Sequence, residues 1–347
     1  MIDTIILTDT HFGVYNASEY FIQKQITFLN NLKRFIINNS IKNLIHLGDV
    51  FDNRKAIDIR TLNFVMKYFV SMLRDLNLNV FILVGNHDTV YKNSIELNTV
   101  RELMGWCGFH IIDKPEDVTI NNSSFCMIPW ICESNKNECI EFIQRSNSAF
   151  CLGHFDIAGF KISKSGNVSK HGLKTTLFKK FYHTLSGHFH AYSSDNGITY
   201  IGSPYMLSFN DVDDVRQFVL FDSTTRGWSV CSDLFEPYYF VISQWNKDID
   251  VEQYRNAIVK VIIDSTINKY EFDLWYKKLN EIAYKTSIVE SEVYNSHIQD
   301  VQNIEMKKDT LTFLHEYADS IYTDDTDLSE IKVLLQDVYR EAQIDNA

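Results

Sequence analysis

No stretch of about 18 uncharged apolar residues occurs in the 347-residue chain, so no membrane-spanning helix is expected. No basic leader or secretory signal stands ahead of the first strand-like run at Ile5, so the expected location is cytoplasmic. The six cysteines, at 107, 126, 132, 139, 151 and 231, form no Cys-x-x-Cys pair and no zinc-ribbon spacing. Reduced, buried thiols are the reading, not a disulfide framework. Internal repeats and low-complexity tracts are also missing. So is a large basic surplus, the usual electrostatic footprint of a nucleic-acid binder. The net charge is −12, but 21 acidic and 10 basic residues fall from Asp248 onward, leaving the body near neutral. The charge balance therefore neither favours nor excludes an anionic partner.

With 45% hydrophobic residues, the chain can bury the core of one large domain and a smaller one. Apolar positions at Phe21, Ile22, Ile26, Leu29, Leu32, Phe35 and Ile36 repeat at helical spacing, as do Ile59, Leu62, Val65, Met66, Phe69 and Leu73. Strand-like runs alternate with these helices, which predicts an α/β sandwich. After Phe109 the chain turns to short strands, His110–Ile112, Val118–Ile120 and Phe125–Ile128, and later Thr199–Ile201, Gln217–Phe221 and Trp228–Cys231. These suit a second sheet packed on the first. Lys161 to Leu173, rich in Ser and Gly, reads as a surface loop. Beyond Pro237 the pattern is strand (257–263), helix (270–284) and strand (287–293), a small βαβ unit. Two amphipathic helices follow, 310–321 and 328–342, with Asp327 a candidate N-cap for the second.

Five motifs carry the chemistry, and each begins where a strand-like run stops. They are Asp9-Thr10-His11, Gly48-Asp49-Val50-Phe51-Asp52, Gly85-Asn86-His87-Asp88, Gly153-His154 and Gly187-His188-Phe189-His190. Ligand sites in layered α/β folds lie beyond the carboxyl ends of the strands. Asp, Asn and His side chains delivered there from five strand ends describe a metal site. Asp9 and His11 flank Thr10 and can point to one face, as can His188 and His190. A carboxylate such as Asp49 can bridge two cations about 4 Å apart. Asn86 offers a neutral oxygen, and Asp88 can fix the tilt of a neighbouring imidazole. Singly, Asp-x-His or Gly-Asp is a chance pair; the five in this order are not. His46 lies within a strand and reads as a core histidine, and His171 as exposed. His110, His183, His297 and His315 have no motif context.

These residues resemble the calcineurin-like metallophosphoesterase superfamily. Gly48-Asp49-Val50-Phe51-Asp52-Asn53-Arg54, followed by Gly85-Asn86-His87-Asp88, is similar to its SbcD-type nuclease subunits of DNA repair and recombination. The protein phosphatases of the superfamily carry Gly-Asp-x-x-Asp-Arg-Gly, which Asn53-Arg54-Lys55 breaks. Ile128-Pro129-Trp130 and Tyr200-Ile201-Gly202-Ser203-Pro204 look like the T-even-type phage branch. The motifs span residues 1–204; the tail matches in layout only.

The resemblance implies an αββα two-sheet nuclease domain over 1–237, a small α/β capping domain that contacts DNA over 238–300, and a helical segment over 305–347 docking on a partner. It implies one cation on Asp9, His11, Asp49 and His190, and a second on Asp49, Asn86, His154 and His188. Manganese is the implied metal, with magnesium the alternative. His87 would protonate the leaving oxygen, with Asp52 and Asp88 supporting from behind. The implied partners are double-stranded DNA ends, an SbcC-type SMC-like ATPase and a second copy of the chain. Helices in 57–76 and 97–104 are candidates for the dimer face, and the location would be the host bacterial cytoplasm if the chain is phage-encoded. Two other readings remain open: a small-molecule phosphodiesterase or phosphatase with the same centre, and a non-catalytic docking protein.

Overall fold

The structure, a computed structural model, describes residues 2–161, 168–232, 234–264 and 266–290. The expected helices at 310–321 and 328–342, His297, His315 and the centre of the Lys161–Leu173 loop lie outside the described residues. Met1–Val261 with Asn268–Ile288 makes one compact unit, and residues 262–267 and 289 onward fall in a second.

Two six-stranded sheets form the frame of the first unit. One runs in the order Gly227–Cys231, Phe218–Asp222, Thr4–Leu7, Asn43–His46, Asn79–Leu83, His110–Ile112. Its last four strands are parallel, and Phe218–Asp222 pairs antiparallel with Thr4–Leu7, Ile5 opposite Leu220. The other runs Ser193–Asp195, Ile198–Tyr200, His183–Gly187, Phe150–His154, Ser123–Ile128, Glu116–Ile120, with its central four parallel.

The period of two in a strand assigns each side chain to a layer. Ile5 and Leu7 face the helices Glu19–Asn38 and Ile59–Asp75, packing with Leu29, Leu32, Phe69 and Leu73. Ile6, between them, faces the other sheet and packs with Met127, Leu152 and Leu185. On the far sheet, Phe125 and Met127 point inward, whereas Cys126 and Ile128 pack outward on Cys139 and Ile143 of helix Lys136–Arg145. The result is the expected αββα sandwich. Both sheets point their parallel strands' carboxyl ends at one edge, where the five motifs lie.

Three expectations are corrected. Phe218–Asp222 and Gly227–Cys231 belong to the first sheet, not the second. Phe218 to Phe221 are buried on both faces, so their pattern holds no record of which sheet they enter. His110–Ile112 also joins the first sheet, parallel to Asn79–Leu83, because a crossover through helix Thr99–Met104 returns the chain to the sheet it left. Helix Lys136–Arg145 was not foreseen, its few apolar residues being diluted by Asn, Glu and Lys. Beyond Pro237, Tyr239–Ile242, Ile258–Ile263 and Lys285–Glu290 form a three-stranded sheet beside helix Lys269–Ile282. Tyr20 anchors this part, stacking on Tyr284 at 3.8 Å and donating to the Asn256 carbonyl at 2.7 Å.

The sandwich interior centres on Phe221, whose ring lies 5.3 Å from Phe125 and 5.1 Å from Phe150. Removing it opens a cavity between two sheets that cannot both move inward. Phe221→Ala is expected to cost about 3–5 kcal/mol, read as a lower urea midpoint with an unchanged slope. A change under 1 kcal/mol would mean the sheets close on the gap.

Candidate metal centre

Four motif residues hold left-handed backbone: Asp9 at φ 52°, His11 at 41°, Asp49 at 54° and His188 at 90°. Such conformations cost on the order of 1–3 kcal/mol each and persist only where the surroundings fix them. Here neighbouring turns hold one another. Asp9 N donates to the Gly48 carbonyl at 3.0 Å, His11 N to Asp49 O at 3.1 Å and Phe12 N to Val50 O at 2.8 Å. Gly48 itself sits at φ +108°, and a Cβ on Gly85 would meet Asp49 N and Oδ1.

Three candidate ligand groups form among the described residues; one joins His11 to Asp52 and His87, and the other two gather further motif residues. In the first of these two, Asp9, His11 and His190 converge. Asp9 Oδ1 stands 3.8 Å from His11 Nε2 and 3.9 Å from His190 Nε2, and those two ring nitrogens face each other at 3.1 Å. In the second, Asp49, His154 and His188 converge, with Asp49 Oδ2 3.3 Å from His154 Nε2. Asn86 Oδ1 accepts from His154 Nε2 at 3.0 Å and His188 Nδ1 at 2.7 Å. Asp49 belongs to both neighbourhoods, since its Oδ2 also lies 3.7 Å from His11 Nε2. Backbone and hydroxyl donors orient the set. His154 Nδ1 bonds the Leu47 carbonyl at 2.9 Å, turning Nε2 toward Asp49, and Thr8 Oγ1 donates to Asp9 Oδ2 at 2.7 Å. The donor set is oxygen and imidazole nitrogen without thiolate, which suits a divalent cation and not a soft, thiolate-seeking one.

His87 stands beside this set, half-buried. Its amide donates to Asp49 Oδ1 at 2.7 Å, and its Nδ1 bonds the Asp52 carbonyl at 2.7 Å. The Asp52 carboxylate lies 3.2 Å from His11 Nδ1. Asp88 corrects one expectation: it orients no imidazole. Its Oδ1 accepts from the amides of Val50 and Phe51, at 3.0 and 3.2 Å, and its Oδ2 from Gly85 N at 2.9 Å, sewing two motif turns together.

Charges respond to this crowding. Burial opposes ionisation of Asp49, yet the imidazoles of His154 and His11 hold it well below the usual carboxylate range. Burial likewise opposes the His11 cation, but Asp52 and Asp9 raise it to about 10. His154, against the same burial, is raised by Asp49 to about 9. His188 goes down to about 3 through burial and the nearby His154.

Several supporting residues had no sequence signal for the role they play at the site. His46 is the core histidine expected: Nδ1 accepts from Gly48 N at 3.2 Å, Nε2 bonds Thr10 Oγ1 at 3.0 Å, and burial lowers it to about 3. It fixes both the Thr10 and Gly48 turns. Tyr205 donates its hydroxyl to the Thr10 carbonyl, and Gln25 Nε2 donates to Tyr205 at 3.0 Å. Buried Arg216 donates to the His190 carbonyl at 2.9 Å and to Ser203 Oγ at 2.5 Å, which gives the Tyr200–Pro204 motif a physical role. Only a three-dimensional neighbour relation reveals these. His171 is exposed, and His110 pairs with Glu116 at 2.9 Å, away from the centre.

The sequence profile of the calcineurin-like phosphoesterases matches residues 2–286. This chain belongs to that family. It is therefore a metal-dependent phosphoester hydrolase. It is 31% identical, over 95% of its length and 95% of the relative's, to exonuclease subunit 1 of Enterobacteria phage T4. A protein of invertebrate iridescent virus 6 named as a phosphoesterase is 25% identical over 48% of this chain and 59% of its own. The solved structure of an archaeal phosphodiesterase aligns with 66% of this chain and 98% of its own at 12% identity and a TM-score of 0.34. Among the described residues no helix is long and apolar enough to cross a membrane.

A cation ligand must be unprotonated, so His11 at about 10 and His154 at about 9 have to release protons at neutral pH when a cation enters. Manganese titrated into the cation-free chain at pH 7, in buffers of different ionisation enthalpy, is expected to release about two protons. Affinity should rise with pH until both groups are neutral; a pH-independent affinity would contradict the assignment. Gly85→Ala forces its methyl into Asp49 and is expected to cost about 1–3 kcal/mol in urea unfolding and to weaken manganese binding. Unchanged binding would show that the Asp49 turn can yield.

Proposed function

We propose that this chain is the nuclease subunit of an SbcCD-like recombination and repair complex, a two-cation DNA phosphodiesterase acting at double-strand ends. The observation that carries this is the Asp49 carboxylate, set between two imidazole groups with His87 beside it. The near full-length likeness to a phage exonuclease subunit supports DNA as the substrate. Asp9, His11, Asp49 and His190 hold one cation, and Asp49, Asn86, His154 and His188 the other, manganese being preferred over magnesium. Bound there, such cations offset phosphate charge and lower the pKa of a coordinated water toward neutrality.

The chain's own groups do the rest. His87 commits Nδ1 to the Asp52 carbonyl, so Nε2 is the ring atom left to carry a proton to the departing oxygen. Asp49 accepts the His87 amide and so fixes that ring relative to the cation ligands. Asp52 and Asp88 hold the surrounding turns. Residues 238–300 serve as a cap that contacts DNA. Residues 305–347, outside those described, dock on an SbcC-type SMC-like ATPase. A second copy pairs through the helices in 57–76 and 97–104, where Ile59 is 74% exposed. The complex works in the host bacterial cytoplasm.

The decisive experiment incubates the purified chain with manganese and linear duplex DNA, with and without its ATPase. Cleavage that needs manganese is expected, and His87→Ala should lose about 10²–10⁴-fold in rate while still binding manganese. Wild-type cleavage by His87→Ala would remove its assigned role. Turnover of bis-p-nitrophenyl phosphate without DNA cleavage would move the assignment to a small-molecule phosphodiesterase, and no turnover of either to a docking protein. Deleting 305–347 is expected to abolish co-purification with the ATPase and spare hydrolysis of the small diester; retained co-purification places the docking surface elsewhere.

A further inference from the structure

A groove of about 1050 Å³ opens beside the metal centre, between helix Lys136–Arg145 and the turn Thr175–Phe178. His154 lines it, so one end touches the proposed ligands. Trp130 lines it too, its ring 6.0 Å from that of His154 and 5.0 Å from that of His188. The interior is mainly apolar, with Phe155 and Leu177 among its walls. Among the described residues, Lys136, Lys174, Lys179 and Lys180 also line it, against Glu133 and Asp156. Asp156 is engaged by the Ser169 hydroxyl at 2.9 Å. Lys180 is partly spent, donating to the Gln144 carbonyl at 2.7 Å. Lys136, Lys174 and Lys179 are all exposed and come from both sides. In a body of near-neutral charge, the described lining of this groove carries four lysines against two carboxylates.

An apolar, aromatic floor under a cationic rim matches the two surfaces of an unpaired polynucleotide: flat bases, and phosphates along one edge. A duplex keeps its bases stacked inside and would offer the floor nothing. The volume is near the upper end of pockets for a drug-sized ligand, roughly enough for a few nucleotides of one strand. We propose that this groove is a subsite for a single DNA strand leading away from the scissile phosphate, with bases against Trp130 and the apolar floor and phosphates on Lys136, Lys174 and Lys179. This rests on the nuclease reading. It implies that the end being cut is unpaired next to the centre.

The test uses the full chain with manganese, in a His87→Ala background so that the probe survives. The probe is a fluorescent oligothymidine of about 15 nucleotides, within the span of known single-strand sites. Reversing three charges, Lys136→Glu with Lys174→Glu and Lys179→Glu, is expected to weaken its binding at least tenfold. The slope of log affinity against log salt should become shallower by about 2, the value for three lost single-strand phosphate contacts. Blunt duplex binding should change less than the oligothymidine binding. With His87 restored, the triple variant should hydrolyse bis-p-nitrophenyl phosphate at the parental rate. Trp130→Ala should weaken oligothymidine binding with the salt slope unchanged. Parental oligothymidine affinity in the triple variant, in a chain that does cleave duplex ends, overturns the groove alone. Equal loss of strand and duplex binding overturns it too, since a general positive surface would then suffice. A parent that hydrolyses the small diester but neither binds nor cleaves DNA overturns the nuclease reading and the groove with it.

Discussion

The Asp49 carboxylate is the point on which the rest of the site depends. One oxygen lies within 4 Å of imidazole nitrogens from both ligand groups, and the other takes the amide of His87. Three motifs, distant in sequence, are thereby referred to one group. The arrangement needs Gly48 and Gly85 to press backbone against backbone, since any Cβ at Gly85 would occupy the space of Asp49 itself. Sequence, turn geometry and chemistry meet here: two glycines set the approach, the approach sets the carboxylate, and the carboxylate sets the spacing between both imidazole groups.

Holding that spacing costs backbone strain. Asp9, His11, Asp49 and His188 all sit in the left-handed region without being glycine. The compensation is a layer of fully buried hydrogen bonds behind them. His46 spans from the Gly48 amide to Thr10, Asp88 ties Gly85 to Val50 and Phe51, and Tyr205 with Gln25 closes on the Thr10 carbonyl. Asp88 shows the tension in this design. Burial and the charge on Asp49 push its carboxyl up to about 7, while three amides favour the ionised form. An ion at the centre would pull the balance toward the carboxylate, so ligand binding and the integrity of the turns are coupled.

The convergence of the motif residues was legible because rare side chains stand at strand ends, and a strand end is legible from an apolar run that stops. Asp9, Asp49, Asn86, His154 and His188 each sit at such a stop. The apolar run Ile5-Ile6-Leu7 marked a strand, and the structure adds that it is covered on both faces. Sheet membership was not legible for Phe218–Asp222, because a strand buried on both faces looks the same in either sheet. Nor were Tyr205, Gln25 and Arg216. Each acts through a carbonyl oxygen, and a carbonyl is present at every residue, so no side-chain pattern marks its partner. His46 lay between these cases: its strand position suggested a core residue, but only its two partners show that it positions the site.

Electrostatics explain how an acidic chain can serve an anionic substrate. Asp9, Asp49 and four imidazoles crowd the centre, and carboxylates favour the protonated form of two of those rings, Asp52 and Asp9 that of His11 and Asp49 that of His154. If the two proposed divalent ions replaced two ring protons, the local charge would rise by about two units, whatever the net charge elsewhere. The attraction for phosphate would then arise at the motif cluster itself, and nearly all of the chain's net negative charge lies from Asp248 onward, outside the motif-bearing region. Broad positive potential would instead hold nucleic acid anywhere on the surface, in orientations the centre cannot use. Confining positive charge to the cation site and its immediate surroundings makes productive placement of a phosphodiester, rather than bare affinity for polyanions, the property that the sequence encodes.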